Sequence, residues 1–118
     1  MTISAYQRAG ELATSPRDNE YKAFAMVINR LNQADNHAQL VEAVHLNNRL
    51  WSTLTADLSR PENPLPADLK ARLISLALWT FRHSTKVMRG EAAADALVKL
   101  NREIMSGLGG ERAQPLMN

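Results

Sequence analysis

The apolar residues of this chain recur every three or four positions in four successive segments, at about 15–35, 36–58, 66–90 and 92–106. That spacing places them along one side of an α-helix and is typical of helices that share a core. Ala and Leu also outnumber the β-branched and aromatic residues that strands prefer. The pattern therefore predicts an all-α fold, a single-domain helical bundle of four main helices plus a short N-terminal helix.

The short N-terminal helix is predicted over 4–14. Its apolar positions are Tyr6, Ala9, Leu12 and Ala13, which form a stripe with few large side chains. Such a stripe does not hold an isolated helix in water. We expect this helix either to dock on the bundle or to fray.

The ends of the main helices are marked by residues with known capping behaviour. Ser15-Pro16-Arg17-Asp18 is typical of a helix start, because Pro fits the first turn and an acidic side chain complements the helix dipole. Asn36 can cap the next helix, with Gln39 as its capping-box partner. Three prolines within Arg60–Pro66 break the chain before the following helix, which Gly90 ends.

The two tryptophans occupy opposite kinds of position. Trp51 lies in the middle of an apolar side that includes Leu40, Val44, Leu54 and Leu58, so it is expected in the core.

Trp79 falls outside the apolar arc of its own helix. That arc contains Leu69, Leu73, Leu76, Ala77, Leu78, Phe81, Val87 and Met88. The opposite side carries six residues at helical spacing, which we term the Trp79 stripe: Arg72, Ser75, Trp79, Arg82, His83 and Lys86. An aromatic ring among cations is typical of a contact surface. The competing interpretation is that a neighbouring helix or the C-terminal tail covers Trp79.

Composition narrows the class of protein. The chain has 118 residues with 45% hydrophobic content, which suits one domain, predicted over 1–108. Residues 109–118 show no apolar period and are expected to form a mobile C-terminal tail. The sequence has no cysteine, no signal-like N-terminus and no apolar run of membrane-spanning length. These features indicate a soluble cytoplasmic protein without a membrane role.

Candidate chemistry is nearly absent. His37 and His45 lie too far apart for a helical ligand pair, and His83 has no carboxylate one turn away. No nucleotide-binding or nucleophile-elbow motif occurs. Asp95, Lys99 and Glu103 form ordinary i, i+4 surface pairs that promote solubility. We therefore expect no catalytic residue, no metal and no cofactor, and the protein is not expected to be an enzyme.

Several runs of residues, in this order, resemble the FlaF family, whose members are flagellar biosynthesis proteins of alphaproteobacteria. The runs are Ala5-Tyr6-Gln7-Arg8, Ser15-Pro16-Arg17 through Glu20-Tyr21, Asn48-Arg49-Leu50-Trp51, Leu73-Ile74-Ser75-Leu76-Ala77-Leu78-Trp79, Arg82-His83-Ser84, Val87-Met88-Arg89-Gly90-Glu91 and Leu100-Asn101-Arg102-Glu103-Ile104-Met105-Ser106-Gly107-Leu108. The resemblance implies a cytoplasmic factor for flagellin production and export, which acts with or against the regulator FlbT as a chaperone-like binder of flagellin. It supplies no catalytic residues.

Together, the Trp79 stripe and the resemblance predict a groove that covers an amphipathic helix of flagellin, with Trp79 as anchor and the cations as orienting charges. Two alternatives remain open. A translational regulator would bind the flagellin message through the same stripe, with Trp79 stacked on a base, although a net charge of only +2 gives this weak support. A structural adaptor would instead use Trp79 to close a homodimer.

Overall fold

Four α-helices make up the described part of the protein. The structure is a computed structural model that describes the backbone of residues 16–113 and the side chains of residues 19–107. The helices are α1 (Pro16–Gln33), α2 (His37–Leu58), α3 (Ala67–Met88) and α4 (Asp95–Ala113), and no strand occurs within the described range. The predicted all-α class and the four main helices are confirmed, whereas the predicted helix at 4–14 lies outside the described residues.

Two of the predicted helix boundaries are fixed by local hydrogen bonds. The Asn36 side chain caps α2 by accepting from the Gln39 amide at 2.9 Å. Gln39 Oε1 accepts in turn from the Asp35 amide at 2.7 Å, one residue earlier than in a standard capping box. At the end of α3, Gly90 adopts a φ of 78°, and the amides of Gly90 and Glu91 bond back to the carbonyls of Val87 and Lys86. This is a Schellman motif, which favours glycine because of the positive φ.

The last helix differs from its predicted bounds at both ends. It begins at Asp95 rather than Ala92, and its backbone continues through Gly107 to Ala113 rather than ending near Ser106. Glycine lowers helix propensity but does not forbid the conformation. Part of the predicted tail, 109–113, is therefore helical, and 114–118 lie outside the described residues.

The helices form a closed ring in the order of the chain. α2 packs extensively on α1 and α3, α1 packs extensively on α4, and α3 and α4 have the smallest contact of these four pairs. Glu20 in the first part of α1, Leu58 at the end of α2, Leu69 near the start of α3 and Gly107 in the second half of α4 line one groove. These positions require neighbouring helices to be antiparallel, as in an up-down-up-down bundle.

Two apolar clusters fill the bundle. The larger one contains Val27, Leu31, Val44, Val87 and Leu97 among its buried members. The smaller one is built by Phe24, Trp51 and Ala77, with the rings of Phe24 and Trp51 edge-to-face at 5.8 Å between centroids. Trp51 is 0% exposed, so its predicted core position is confirmed.

A buried polar layer crosses the middle of the core. The Trp51 indole N–H donates to Asn101 Oδ1 at 2.9 Å, and Asn101 Nδ2 donates to Asn47 Oδ1 at 2.6 Å. Ser84 Oγ donates to Asn48 Oδ1 at 2.8 Å, which joins α3 to α2. Thr80 is also fully buried. The layer therefore ties α2 to both α3 and α4 through directional contacts.

The buried face of α3 is displaced from the predicted apolar arc. Its fully buried residues are Ala77, Thr80, Ser84 and Val87, two of which are polar. Leu78 lies about 100° around the helix from Ala77 and is 49% exposed, so its predicted place on the core arc is wrong. The small side chains at 77, 80 and 84 allow α3 to pack closely on α2, and this closeness decides which face turns inward.

We expect Trp51→Ala to destabilise the fold by about 3–5 kcal/mol, because it opens a cavity beside Phe24 and leaves Asn101 Oδ1 without its donor. Urea unfolding followed by circular dichroism measures the change. Trp79→Ala is the matched control, for which we expect a loss well below that of Trp51→Ala. Equal losses would show that both indoles support the core.

Asn101→Ala removes the central member of the polar layer and leaves the Trp51 indole N–H and Asn47 Oδ1 unpaired. We expect a cost of about 1–3 kcal/mol for each stranded group. The exposed Asn32→Ala is the control and is expected to be near neutral. A double-mutant cycle with Trp51→Phe measures the coupling between the two side chains, and additive losses would contradict the bond.

Candidate functional site

Among the neighbouring helix pairs of the ring, α3 and α4 are the least closely packed, and they leave an apolar seam on the surface. Two grooves lie along it. The Trp79 groove has a volume of about 360 Å³ and is lined by Leu76, Trp79, Ala96, Lys99, Leu100 and Glu103. The end groove has a volume of about 420 Å³ and is bordered by all four helices and by the connector before α3. Glu103 lines both grooves, so they are adjacent along the α3–α4 seam.

Trp79 projects from α3 at the edge of this seam and is 39% exposed. Its ring stacks on the His83 ring one turn later, with 4.8 Å between centroids and an interplanar angle of 13°. His83 Nε2 lies 3.2 Å from the carbonyl oxygen of Ala93, in the connector before α4. The indole is thus held by His83, which is itself fixed to the connector. One side chain presents a large apolar surface in a defined orientation.

The remaining residues of the Trp79 stripe surround the indole without touching the groove. Arg72, Ser75, Arg82 and Lys86 are all exposed. Arg72 lies 3.9 Å from the Asp68 carboxylate, one turn earlier on the same helix. An exposed pair of this kind contributes little to stability and is easily exchanged. The structure therefore brings Trp79 and His83 together, while the four other residues form a solvated rim along α3.

The far wall of the Trp79 groove was not predicted from the sequence. In the sequence, Ala96 and Leu100 belong to the apolar repeat of 92–106, and Lys99 and Glu103 belong to ordinary surface pairs, so none of the four stands out. Leu76 and Leu100 are only half-buried. The sequence did contain one signal for the groove. Leu76 precedes Trp79 by three residues, so the two side chains are neighbours on the surface of α3. Ala96, on the facing helix, is too small to cover the indole.

The end groove presents more apolar surface than the Trp79 groove. Among its lining side chains are Phe24, Leu54, Leu58, Leu65, Leu69, Leu73 and Ile104. The charged groups that border it are the carboxylates of Glu20, Asp57 and Glu103. Asn63 in the connector shapes its lip, donating from Nδ2 to Asp57 Oδ2 at 3.1 Å and accepting from the Leu65 amide at 3.0 Å. This groove suits an apolar segment with cationic neighbours.

Other features of the described residues offer less chemistry. A larger depression of about 480 Å³ between α1 and α4 is lined mostly by polar and charged groups such as Asn32 and Arg102. The buried polar side chains between 19 and 107 are Asn47, Thr80, Ser84 and Asn101, so no charged group is buried there. No set of three or more His, Asp or Glu in that range is placed to hold a metal ion. No helix in the described part is both long and apolar enough to cross a membrane.

Comparison with protein families gives one assignment. The model of the family described as flagellar protein FlaF matches residues 2–108. The chain belongs to the FlaF family. Comparison with curated proteins and with solved structures finds no match. The predicted family is therefore confirmed over nearly the whole chain, and the protein is a flagellar protein. The FlaF match includes the α3–α4 seam and the segment before α1, and ends before the residues from 109 onward.

The two tryptophans should differ in access to small quenchers. In the single-tryptophan variant Trp51→Phe, the remaining Trp79 is expected to be quenched readily by acrylamide. In Trp79→Phe, the enclosed Trp51 is expected to be protected until the protein unfolds. Stern–Volmer measurements on both variants test this, and comparable quenching constants would contradict the exposure of Trp79.

Proposed function

We propose that this FlaF protein binds flagellin in the cytoplasm, as a chaperone that promotes flagellin production and export together with the regulator FlbT. The bound element would be an amphipathic helix of flagellin lying in the Trp79 groove. The observation that carries the proposal is the exposed indole of Trp79, which is held in place at the least closely packed pair of neighbouring helices in a flagellar protein.

The energetics of helix recognition support Trp79 as the anchor. Large aromatic side chains in preformed pockets dominate binding free energies. The Trp79 ring is already ordered by its stack on His83, so binding would lose little conformational entropy at this side chain. The adjoining Leu76 and Leu100 extend the apolar wall. A helix with apolar residues at i, i+3, i+4 and i+7 fits this kind of groove.

The charges around the groove favour a particular orientation. Arg72, Arg82 and Lys86 form a cationic side along α3, whereas Lys99 and Glu103, which carry opposite charges, border the groove from α4. An amphipathic helix with acidic residues on the side toward α3 would match this arrangement. Such rim charges act mainly on specificity and association rate.

Trp79→Ala is expected to reduce capture of purified flagellin at least tenfold while leaving thermal unfolding nearly unchanged. Met26→Ala is the matched control, since Met26 is 46% exposed on α1 and lies away from the seam. A pull-down against flagellin and, separately, FlbT measures the effect. Undiminished flagellin capture by Trp79→Ala would refute the proposed anchor.

The same assay separates the alternatives. Binding to flagellin through an apolar groove should persist after nuclease treatment and weaken only mildly with salt. Capture that nuclease abolishes, with a steep loss between low and moderate salt, would instead indicate the flagellin message as ligand. Sedimentation of wild type and Trp79→Ala tests the adaptor alternative, because a dimer closed by Trp79 would become a monomer.

A further inference from the structure

We propose that the outer surface between α2 and α3 binds an acidic amphipathic helix of a partner protein. This surface, which we term the Leu78 face, consists of Ile74, Leu78, Phe81 and Arg82 on α3 and Arg49 on α2. It is a second interaction surface, separate from the two grooves of the α3–α4 seam. The inference does not rest on what binds at Trp79.

The apolar side of α3 is wider than the core of the bundle uses. Trp79 lines the groove toward α4, so the opposite edge of the buried face points toward α2. Ile74, Leu78 and Phe81 lie along that edge at i, i+4 and i+7. Leu78 is 49% exposed, and the other two are half-buried. Because Phe81 also packs against the smaller core cluster, the stripe is held in a fixed position.

Two guanidinium groups accompany this stripe. The hydrogen bond from Ser84 to Asn48 fixes the level of α3 against α2. Since the two helices are antiparallel, Arg49, one residue after Asn48, and Arg82, two residues before Ser84, lie within about 2 Å of the same level. Both are exposed. They therefore stand on the two sides of the α2–α3 surface, about one helical turn from Leu78.

The α2 side opposite Leu78 is low. The same register places Leu78 at a level between Ser52 and Ala56, which are both exposed and too small to cover a leucine side chain. An approaching helix could settle on α2 here and contact Leu78 from the side. Arg49 and Arg82 would then lie on either side of that helix, one turn further along.

The charge of this face has one sign, which favours an acidic partner. No Asp or Glu occurs within 43–56 or 69–90. The three carboxylates that α2 and α3 do carry have other surroundings: Glu42 lines a depression toward α1, Asp57 accepts a hydrogen bond from Asn63, and Asp68 lies beside Arg72. Guanidinium groups bind carboxylates in a bidentate geometry. An apolar stripe with Glu or Asp beside it would therefore match the face in both respects.

The same features disfavour two other occupants. A second copy paired through this face would bring guanidinium groups of the two chains together without a carboxylate between them, and such like-charge contacts suppress association. Nucleic-acid bases stack on aromatic rings, whereas the most exposed apolar side chain of the face, Leu78, is aliphatic. A protein helix with an apolar and an acidic side satisfies both parts of the surface.

Binding of labelled synthetic helices, followed by fluorescence anisotropy at physiological salt, tests the proposal. The probe is a helix of about 18 residues with Leu at i, i+4 and i+7 and Glu beside them. The control peptides are a scrambled sequence of the same composition and a version with Lys in place of every Glu. All proteins carry Trp79→Ala, which removes the proposed flagellin anchor, so a failure here leaves that proposal untouched. We expect the probe to bind at least tenfold more tightly than either control peptide.

Leu78→Ser and Arg49→Ser should each weaken binding of the probe at least fivefold. The matched controls, Met26→Ser and Arg30→Ser, remove an exposed apolar side chain and an exposed cation from α1 and should have little effect. Thermal unfolding should stay near that of the parent protein in all four variants, because each side chain is exposed.

Three results would overturn the proposal. The first is a probe that binds no better than its scrambled version, or that is weakened equally by the α1 controls. The second is a dimer in sedimentation that Leu78→Ser converts to a monomer, which would assign the face to a second copy. The third is tighter binding of a short oligouridine RNA than of the probe, weakened by Arg49→Ser, which would assign the face to nucleic acid.

Discussion

The side chain of Trp51 lies fully enclosed between three helices, and its indole N–H needs an acceptor there because an unpaired buried donor costs free energy. Asn101 supplies that acceptor, and Asn47 in turn accepts from Asn101. These two bonds fix the position of α4 along α2. Apolar packing alone would allow α4 to shift along α2 by one helical turn. Such a shift would break the hydrogen bonds that join Trp51, Asn101 and Asn47.

The same layer explains why the seam opens where it does. α2 is tied to α4 through Asn101 and to α3 through Ser84. α3 approaches α2 closely through small residues such as Ala77 and Thr80. Both outer helices are thus drawn toward α2, and no hydrogen bond between the described side chains of α3 and α4 pulls those two together. The surface between α3 and α4 keeps its apolar side chains accessible, and Trp79 lies at its edge.

Much of the fold was predictable from the sequence, because helix period, caps and breakers are local signals. Asn36 and Gly90 mark boundaries that the structure confirms. The contrast between Trp51 and Trp79 was also predictable from helical spacing. Leu78 was misplaced because a broad arc of apolar residues does not show which part of it meets a neighbour. Small polar Thr80 and Ser84, not the leucines, define the buried face.

The polar layer and the wall opposite Trp79 depend on contacts between helices distant in sequence. Asn47 and Asn101 do fall at core spacing, three or four residues from buried apolar neighbours, and this is the signal that was available for them. Glu103 offered no comparable signal. Glu103 borders both grooves of the seam as well as the depression between α1 and α4, so whatever fills one groove changes the electrostatic surroundings of the other. The Trp79 groove and the end groove share one charged side chain in their walls. Ligands bound in the two grooves would therefore influence each other electrostatically, without any shift of the backbone.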